Sequence, residues 1–113
     1  MDREIIVIIP TLNNEFHLER TLKSIPEDFE ILIIDSGSAD QTPAIAKKYT
    51  DNFIVREMIS WDAGDQRNYA FNYVKNHYKV IMFLDSDEFL TDQLIQELRS
   101  LLSNSSLFFN ILV

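Results

Sequence analysis

The 113-residue chain contains no cysteine, so it has no disulfide framework, no thiolate nucleophile and no cysteine-based zinc site. Positive charge is also scarce. Ten lysines and arginines stand against 18 aspartates and glutamates, a formal net charge of −8. So acidic a chain is a poor partner for nucleic acid or for an anionic membrane surface. There is no lysine-bearing P-loop, so an anionic ligand would need positive charge from elsewhere, and a bound metal would supply it. Long apolar runs are missing too. The N-terminal stretch holds five apolar residues, Ile5–Ile9, before Pro10, which is neither a signal peptide nor a transmembrane segment. No repeat, low-complexity tract or linker interrupts the chain, and Ser103–Ser106 reads as a turn. These absences leave one globular domain over residues 1–113. Its expected location is the cytoplasm, free or peripheral to the inner face of the membrane.

What is present is an alternation of short apolar runs with helical patterns. Ile5–Ile9 forms a first strand stopped by Pro10, and Phe16, Leu18, Leu22 and Ile25 give a helical spacing closed by Pro26. Ile31–Ile34 is a second strand. Thr42-Pro43 opens a helix with proline at its first position and Ala44, Ile45 and Tyr49 on one face. Phe53–Val55 is a third strand, followed by a helix over Gln66–Asn76 with Ala70, Phe71 and Val74 inward. Val80–Leu84 is a fourth strand, Leu94, Leu98, Leu101 and Leu102 mark an amphipathic helix, and Leu107–Val113 is a last strand. This order predicts an α/β fold, a mostly parallel sheet with helices on both faces. Right-handed crossovers would align the strand ends Pro10, Asp35, Arg56 and Asp85 along one edge.

Every chemically suggestive residue lies on or just beyond that edge. Asp85-Ser86-Asp87-Glu88 places three acids after the fourth strand, and in extended backbone Asp85 and Asp87 would project to the same side. Crowded carboxylates call for a shared proton or a cation, and Mg²⁺ or Mn²⁺ is the usual answer. The simpler alternative is that Asp87 or Asp92 caps the next helix. Asp35 could accept hydrogen bonds from a nucleobase or ribose, with Gly37 allowing close backbone approach, or could tie down its own turn. Thr11 could touch the same ligand, whereas Asn13, Asn14 and Glu15 also make a good helix start. Near Gly64, free helix N–H groups and Arg67 converge where an anion could bind, although Arg67 could instead pair with Asp62 or Asp65. Trp61 taken alone reads as a core or rim aromatic. His17 and His77 read as surface residues.

Taken in order, Pro10-Thr11-Leu12-Asn13-Asn14-Glu15, Asp35-Ser36-Gly37-Ser38-Ala39-Asp40-Gln41-Thr42, Gln66-Arg67-Asn68 and Asp85-Ser86-Asp87-Glu88 resemble the successive motifs of family 2 glycosyltransferases. Trp61-Asp62 ahead of the third motif resembles the branch that builds bacterial lipopolysaccharide cores and related surface glycans. The resemblance runs from Ile5 to about Leu94. It implies a GT-A fold, a Rossmann-like nucleotide-sugar-binding half, with a nucleotide-diphosphate-sugar donor, UDP-linked, and Mg²⁺ or Mn²⁺ as cofactor. Carried over by position, Thr11, Asn13, Glu15, Asp35, Gly37, Gln66, Arg67, Asp85 and Ser86 would bind the nucleotide sugar. Asp87 with Asp85 would hold the metal. The acceptor would be a glycan or glycolipid.

Family members normally continue for a further hundred residues or more, which carry the acceptor site and the carboxylate base. The chain is therefore expected to be the donor-binding half, truncated at its C-terminus, with Glu88 a weak candidate base. Phe108, Phe109, Ile111, Leu112 and Val113 would then expose apolar surface and favour self-association. Two other readings are a catalytically incomplete nucleotide-sugar-binding module and, more remotely, a phosphoacceptor signalling domain. The latter would need an acidic pair after the first strand, where Thr11-Leu12-Asn13-Asn14 stands.

Overall fold

A computed structural model describes residues 3–57, 63–103 and 109–112, with Ala63 and 109–112 described through the backbone alone. In chain order the elements are β1 (Ile5–Thr11), α1 (Leu18–Lys23), β2 (Glu30–Asp35), α2 (Thr42–Lys47), β3 (Phe53–Val55), α3 (Ala63–Val74), β4 (Val80–Phe83), α4 (Asp92–Ser103) and β5 (Phe109–Leu112). The strands form one sheet in the order β3-β2-β1-β4-β5, and every pairing is parallel. This is the doubly wound nucleotide-binding order, and it differs from the β2-β1-β3 order of phosphoacceptor signalling domains.

Parallel strands buried on both faces need apolar side chains on both sides of the pleat. The run Ile5–Ile9 is accordingly buried throughout. Ile5, Val7 and Ile9 face a core built with Leu18 and Leu22 of α1, Ala46 of α2 and Leu98 of α4. Ile6 and Ile8 face the other side, where Ala70 and Val74 of α3 cover them. The expected covering of both faces is found, with three helices on one side and one on the other.

The connections refine the expected crossovers. β1-α1-β2 and β2-α2-β3 step one way across the sheet over one face, and β3-α3-β4 steps back over the opposite face. These three therefore share a hand. β4-α4-β5 steps the same way as β3-α3-β4 but passes over the face of α1, so its hand is opposite. The strand ends align on one edge all the same, because all five strands are parallel.

Several local expectations change. Pro10 does not stop β1, which runs on to Thr11. Thr11 faces β2, its carbonyl accepting from Ser36 N–H at 2.9 Å, while Ile8 faces β4 through Leu84 N–H at 3.0 Å. Alternation turns Pro10 toward β4, which has already ended at Phe83, so its missing donor costs nothing. Phe16 is 89% exposed and lies off the buried face of α1. Thr42-Pro43 opens α2 as expected, with Pro43 second rather than first in the helix, and the buried residues are Thr42 and Ala46 while Ala44 is exposed. α4 is capped by Thr91, whose Oγ1 accepts from Leu94 N–H at 3.2 Å, so neither Asp87 nor Asp92 serves as its cap. Trp61, Asp62, Leu107, Phe108 and Val113, and most of Ser103–Ser106, lie outside the described residues, as do the side chains of Phe109, Ile111 and Leu112.

Candidate functional site

In a doubly wound sheet the crevice opens where consecutive connections leave in opposite directions, here between the carboxyl ends of β1 and β4. A cavity of about 190 Å³ lies there, lined by Pro10, Thr11, Leu12, Ser36, Gln66, Arg67 and Asp85. A larger one, about 400 Å³, sits at the opposite edge among Ile6, Leu32, Asn52, Tyr73, Val74, His77 and Tyr78. No aspartate, glutamate, lysine or arginine lines it, whereas Asp85 and Arg67 both line the smaller cavity.

Asp35 ends β2 beside Thr11, its register partner on β1. Its carboxylate is 1% exposed. Oδ1 accepts from Thr11 Oγ1 at 2.5 Å and Ser38 Oγ at 2.6 Å, and Oδ2 from the N–H groups of Gly37 at 3.0 Å and Ser38 at 2.7 Å. The turn-tying role is thus realised, and all four acceptor positions of the carboxylate are taken. Gly37 earns its place through φ = +107°, a backbone conformation costly for any other residue. A Cβ added there would also press Glu57 Cγ at 3.3 Å.

The β1–α1 loop is clipped to the same turn. Asn13, at φ = +53°, donates its N–H to Ser38 Oγ and accepts from Ala39 N–H through Oδ1, each at 2.8 Å. Glu15 N–H donates to Asp40 at 3.2 Å. Burial pushes the Asp40 carboxyl up, but hydrogen bonds from Thr42 and from the Glu15 amide outweigh it and hold the group below its usual range. Asn13 and Glu15 therefore act in this structure through loop-to-loop contacts. Gln66 is 2% exposed, its Nε2 donating to Ser36 Oγ and Arg56 O, its Oε1 accepting from Arg56 Nη1. It fastens α3 to the ends of β2 and β3.

Asp85-Ser86-Asp87-Glu88 is a turn and not extended strand, closed by Glu88 N–H to Asp85 O at 3.0 Å. Glu88 Oε1 accepts from Asp85 N–H at 3.1 Å. Arg67 pairs with Asp85, Nη2 to Oδ1 at 3.4 Å, while Asp65 pairs with Arg56. The Arg67 Nε is buried and has no acceptor among the described residues. Asp87 is exposed, and its carboxylate makes no hydrogen bond or ion pair among the described residues. No cluster of three or more potential metal-ligating side chains occurs among the described residues. Two accessible carboxylates suit a hard cation that takes its remaining ligands from a diphosphate and water, and do not suit an all-protein cage.

One set of contacts escaped the sequence reading. Thr21 Oγ1 lies within hydrogen-bonding reach of Ser86 O, at 2.9 Å, and of Glu88 O. Arg20 Nη2 donates to Asp87 O at 3.1 Å, and Ser24 Oγ accepts from Leu90 N–H at 2.9 Å. These partners are 66 or 67 residues apart in three of the four cases, and nothing local marks them.

The sequence profile described as glycosyl transferase family 2 matches residues 6–107. The poly(ribitol-phosphate) beta-N-acetylglucosaminyltransferase TarP of Staphylococcus aureus (strain N315) is 33% identical over 106 residues, 85% of this chain and 32% of its own. TarS of Staphylococcus aureus (strain Mu50), named for the same reaction, is 28% identical over 101 residues, 80% of this chain and 17% of its own. The crystal structure of S. aureus TarS 1–349 in complex with UDP-GlcNAc superimposes with a TM-score of 0.71 at 27% identity, over 89% of this chain and 31% of that one. The chain thus spans a third or less of these relatives. No helix among the described residues is long and apolar enough to cross a membrane. With the ordered motifs on one sheet edge and the profile matching nearly the whole chain, the protein belongs to glycosyl transferase family 2.

Proposed function

We propose that the cleft between β1 and β4 binds a nucleotide-diphosphate sugar, UDP-linked, for metal-dependent transfer of the sugar to a glycan or glycolipid acceptor. The observation that carries this is Arg67: a guanidinium with a buried, unpaired Nε, held beside Asp85 at the mouth of the cavity. A buried donor without an acceptor is costly, and a ligand phosphate oxygen would relieve it. TarS supports the choice of nucleotide, since its structure was determined with UDP-GlcNAc and with UDP. TarS and TarP are named for poly(ribitol-phosphate), which supports a surface-polymer acceptor.

Within this reading Asp87 and Asp85 would hold Mg²⁺ or Mn²⁺, which when bound supplies charge stabilisation to the leaving diphosphate. Arg67 binds the same diphosphate from the α3 side and adds fixed positive charge where negative charge develops. Thr11 and Asp35 form the base end of the cleft. The hydroxyls of Thr11 and Ser38 rotate off Oδ1 to free an acceptor for the base. Ser86, Gln66, Gly37, Asn13 and Glu15 shape the walls through the contacts described above. The location in this reading is the cytoplasm, at the inner face of the membrane where a lipid-borne acceptor would be met.

Calorimetry of UDP with Mn²⁺ tests the reading. The wild-type chain should bind UDP, and chelation or Asp87→Ala should weaken binding by roughly ten- to a hundredfold. Equal binding by wild type and variant would overturn it. A catalytically incomplete module is favoured by one specific observation: Glu88, the weak candidate base, has its Oε1 engaged by the Asp85 amide. Tight UDP binding without transfer or donor hydrolysis by the isolated chain would select that second reading.

A further inference from the structure

Asp85 and Asp87 are carried by a turn with little to hold it in its own sequence. Asp85, Asp87 and Phe89 are all exposed, and the turn's internal bonds join only Asp85 and Glu88. Its placement comes from α1, the helix of the chain's first crossover. Leu18 and Leu22 are 0% and 1% exposed and fix that helix in the core. Between them Thr21, also 0% exposed, brings its hydroxyl within reach of two turn carbonyls that flank Asp87, Ser86 O and Glu88 O, with His17 O of its own helix more distant at 3.5 Å. Arg20 holds the carbonyl of Asp87 itself, and its guanidinium stacks on the Phe89 ring 5.0 Å from the centroid. Ser24 closes the far end through Leu90 N–H. Carbonyls on both sides of Asp87 are thereby fixed, and with them the direction in which its carboxylate leaves the backbone.

We propose that Thr21, assisted by Arg20 and Ser24, is a positioning residue that aims the Asp85–Asp87 turn at the donor diphosphate. This rests on the reading of that turn as the metal and diphosphate site. Among the described residues the Thr21 hydroxyl reaches His17 O on its own helix and Ser86 O and Glu88 O of the turn, and makes no bond to Thr11 or Asp35, so its effect on the cleft runs through the turn. A carboxylate free to wander loses metal affinity even when its own chemistry is intact, as seen when partners that orient a metal ligand are removed.

The test uses the whole chain with two ligands, UDP with Mn²⁺ by calorimetry and uridine without metal by NMR titration, together with amide exchange of residues 86–90. Thr21→Val should weaken Mn²⁺-dependent UDP binding by roughly ten- to a hundredfold, leave uridine binding unchanged and speed exchange in the turn. Thr21→Ser, which restores the hydroxyl, should return all three toward wild type. Ser24→Ala should show the same pattern more weakly, and it carries the test if Thr21→Val does not fold. Unaltered exchange in the turn, or UDP and uridine binding reduced together in Ser24→Ala, would overturn the proposal. Wild-type protein that binds no UDP with Mn²⁺ would fail at an earlier step, overturning the functional reading, and is distinguished because no variant is involved.

Discussion

Asp35 shows how one residue can serve the fold and the ligand at once. Its four donors are two backbone amides and two hydroxyls. The amides cannot turn away without unmaking the loop, whereas the hydroxyls rotate. Asp35→Asn can keep its one oxygen on the two amides and turn its N–H₂ to the hydroxyls of Thr11 and Ser38, which must then accept; bonds to a charged group become neutral ones, at a cost of about 1–3 kcal/mol. Urea unfolding should show this as a lowered midpoint without a changed slope, and a midpoint equal to wild type would refute the account. The sequence exposed this residue because a carboxylate before Ser36-Gly37-Ser38 has two jobs available, and Gly37 put ligand binding ahead of tying the turn. The ranking depends on Thr11, brought alongside by β1–β2 register 24 residues away in sequence. Arg67 was legible as a cation near a helix start. That it would pair with Asp85, 18 residues further along the chain, was not, because that contact is made by the position of β4.

At the scale of elements, strands were easier to read than helix faces. A run such as Val80–Leu84 admits few alternatives once charge closes it, and its buried residues agree with the expected strand to within one position. α1 spans only six residues, too short for a periodicity to separate Phe16 from Leu18. The turn at Asp85–Glu88 was misjudged as extended because nothing in its composition records the Thr21 hydroxyl that holds it. β5 carries a prediction of its own. It has four residues, one neighbour, and a connection of the hand opposite to the other three. Crossovers of the uncommon hand pack a helix against the natural twist of the sheet. Amides of Phe109–Leu112 should therefore exchange through local opening, well before those of β1 and β2, which need global unfolding. Hydrogen exchange followed by mass spectrometry reads this directly; equal protection of β5 and β1 would contradict it.

For the whole molecule, the charge balance of −8 coexists with a few contacts that favour particular protonation states. The Tyr49 hydroxyl donates to Glu19 at 2.8 Å, and that bond lowers the Glu19 carboxyl, with help from Lys48, while raising the Tyr49 phenol. Arg99 lowers Asp28 through two hydrogen bonds, and the amides around Asp40 lower it as well. Burial raises Tyr78. For the lowered carboxyls, the stabilisation is complete above the unfolded-chain value of about 4 and drains away as pH falls through the folded value. For the raised phenols the stabilisation is complete below about 10 and is lost as pH climbs through the folded value. Stability should thus be level across neutral pH and fall at both ends, the acid fall softened as protonation relieves repulsion among the excess acids. Tyr49→Phe touches both limbs, since it deletes the bond that lowers Glu19 and the phenol that titrates. Its urea midpoints should vary less with pH than wild type below about 4 and above about 10. A variant whose pH profile merely shifts down in parallel would show that the Tyr49–Glu19 bond is not linked to protonation in this fold.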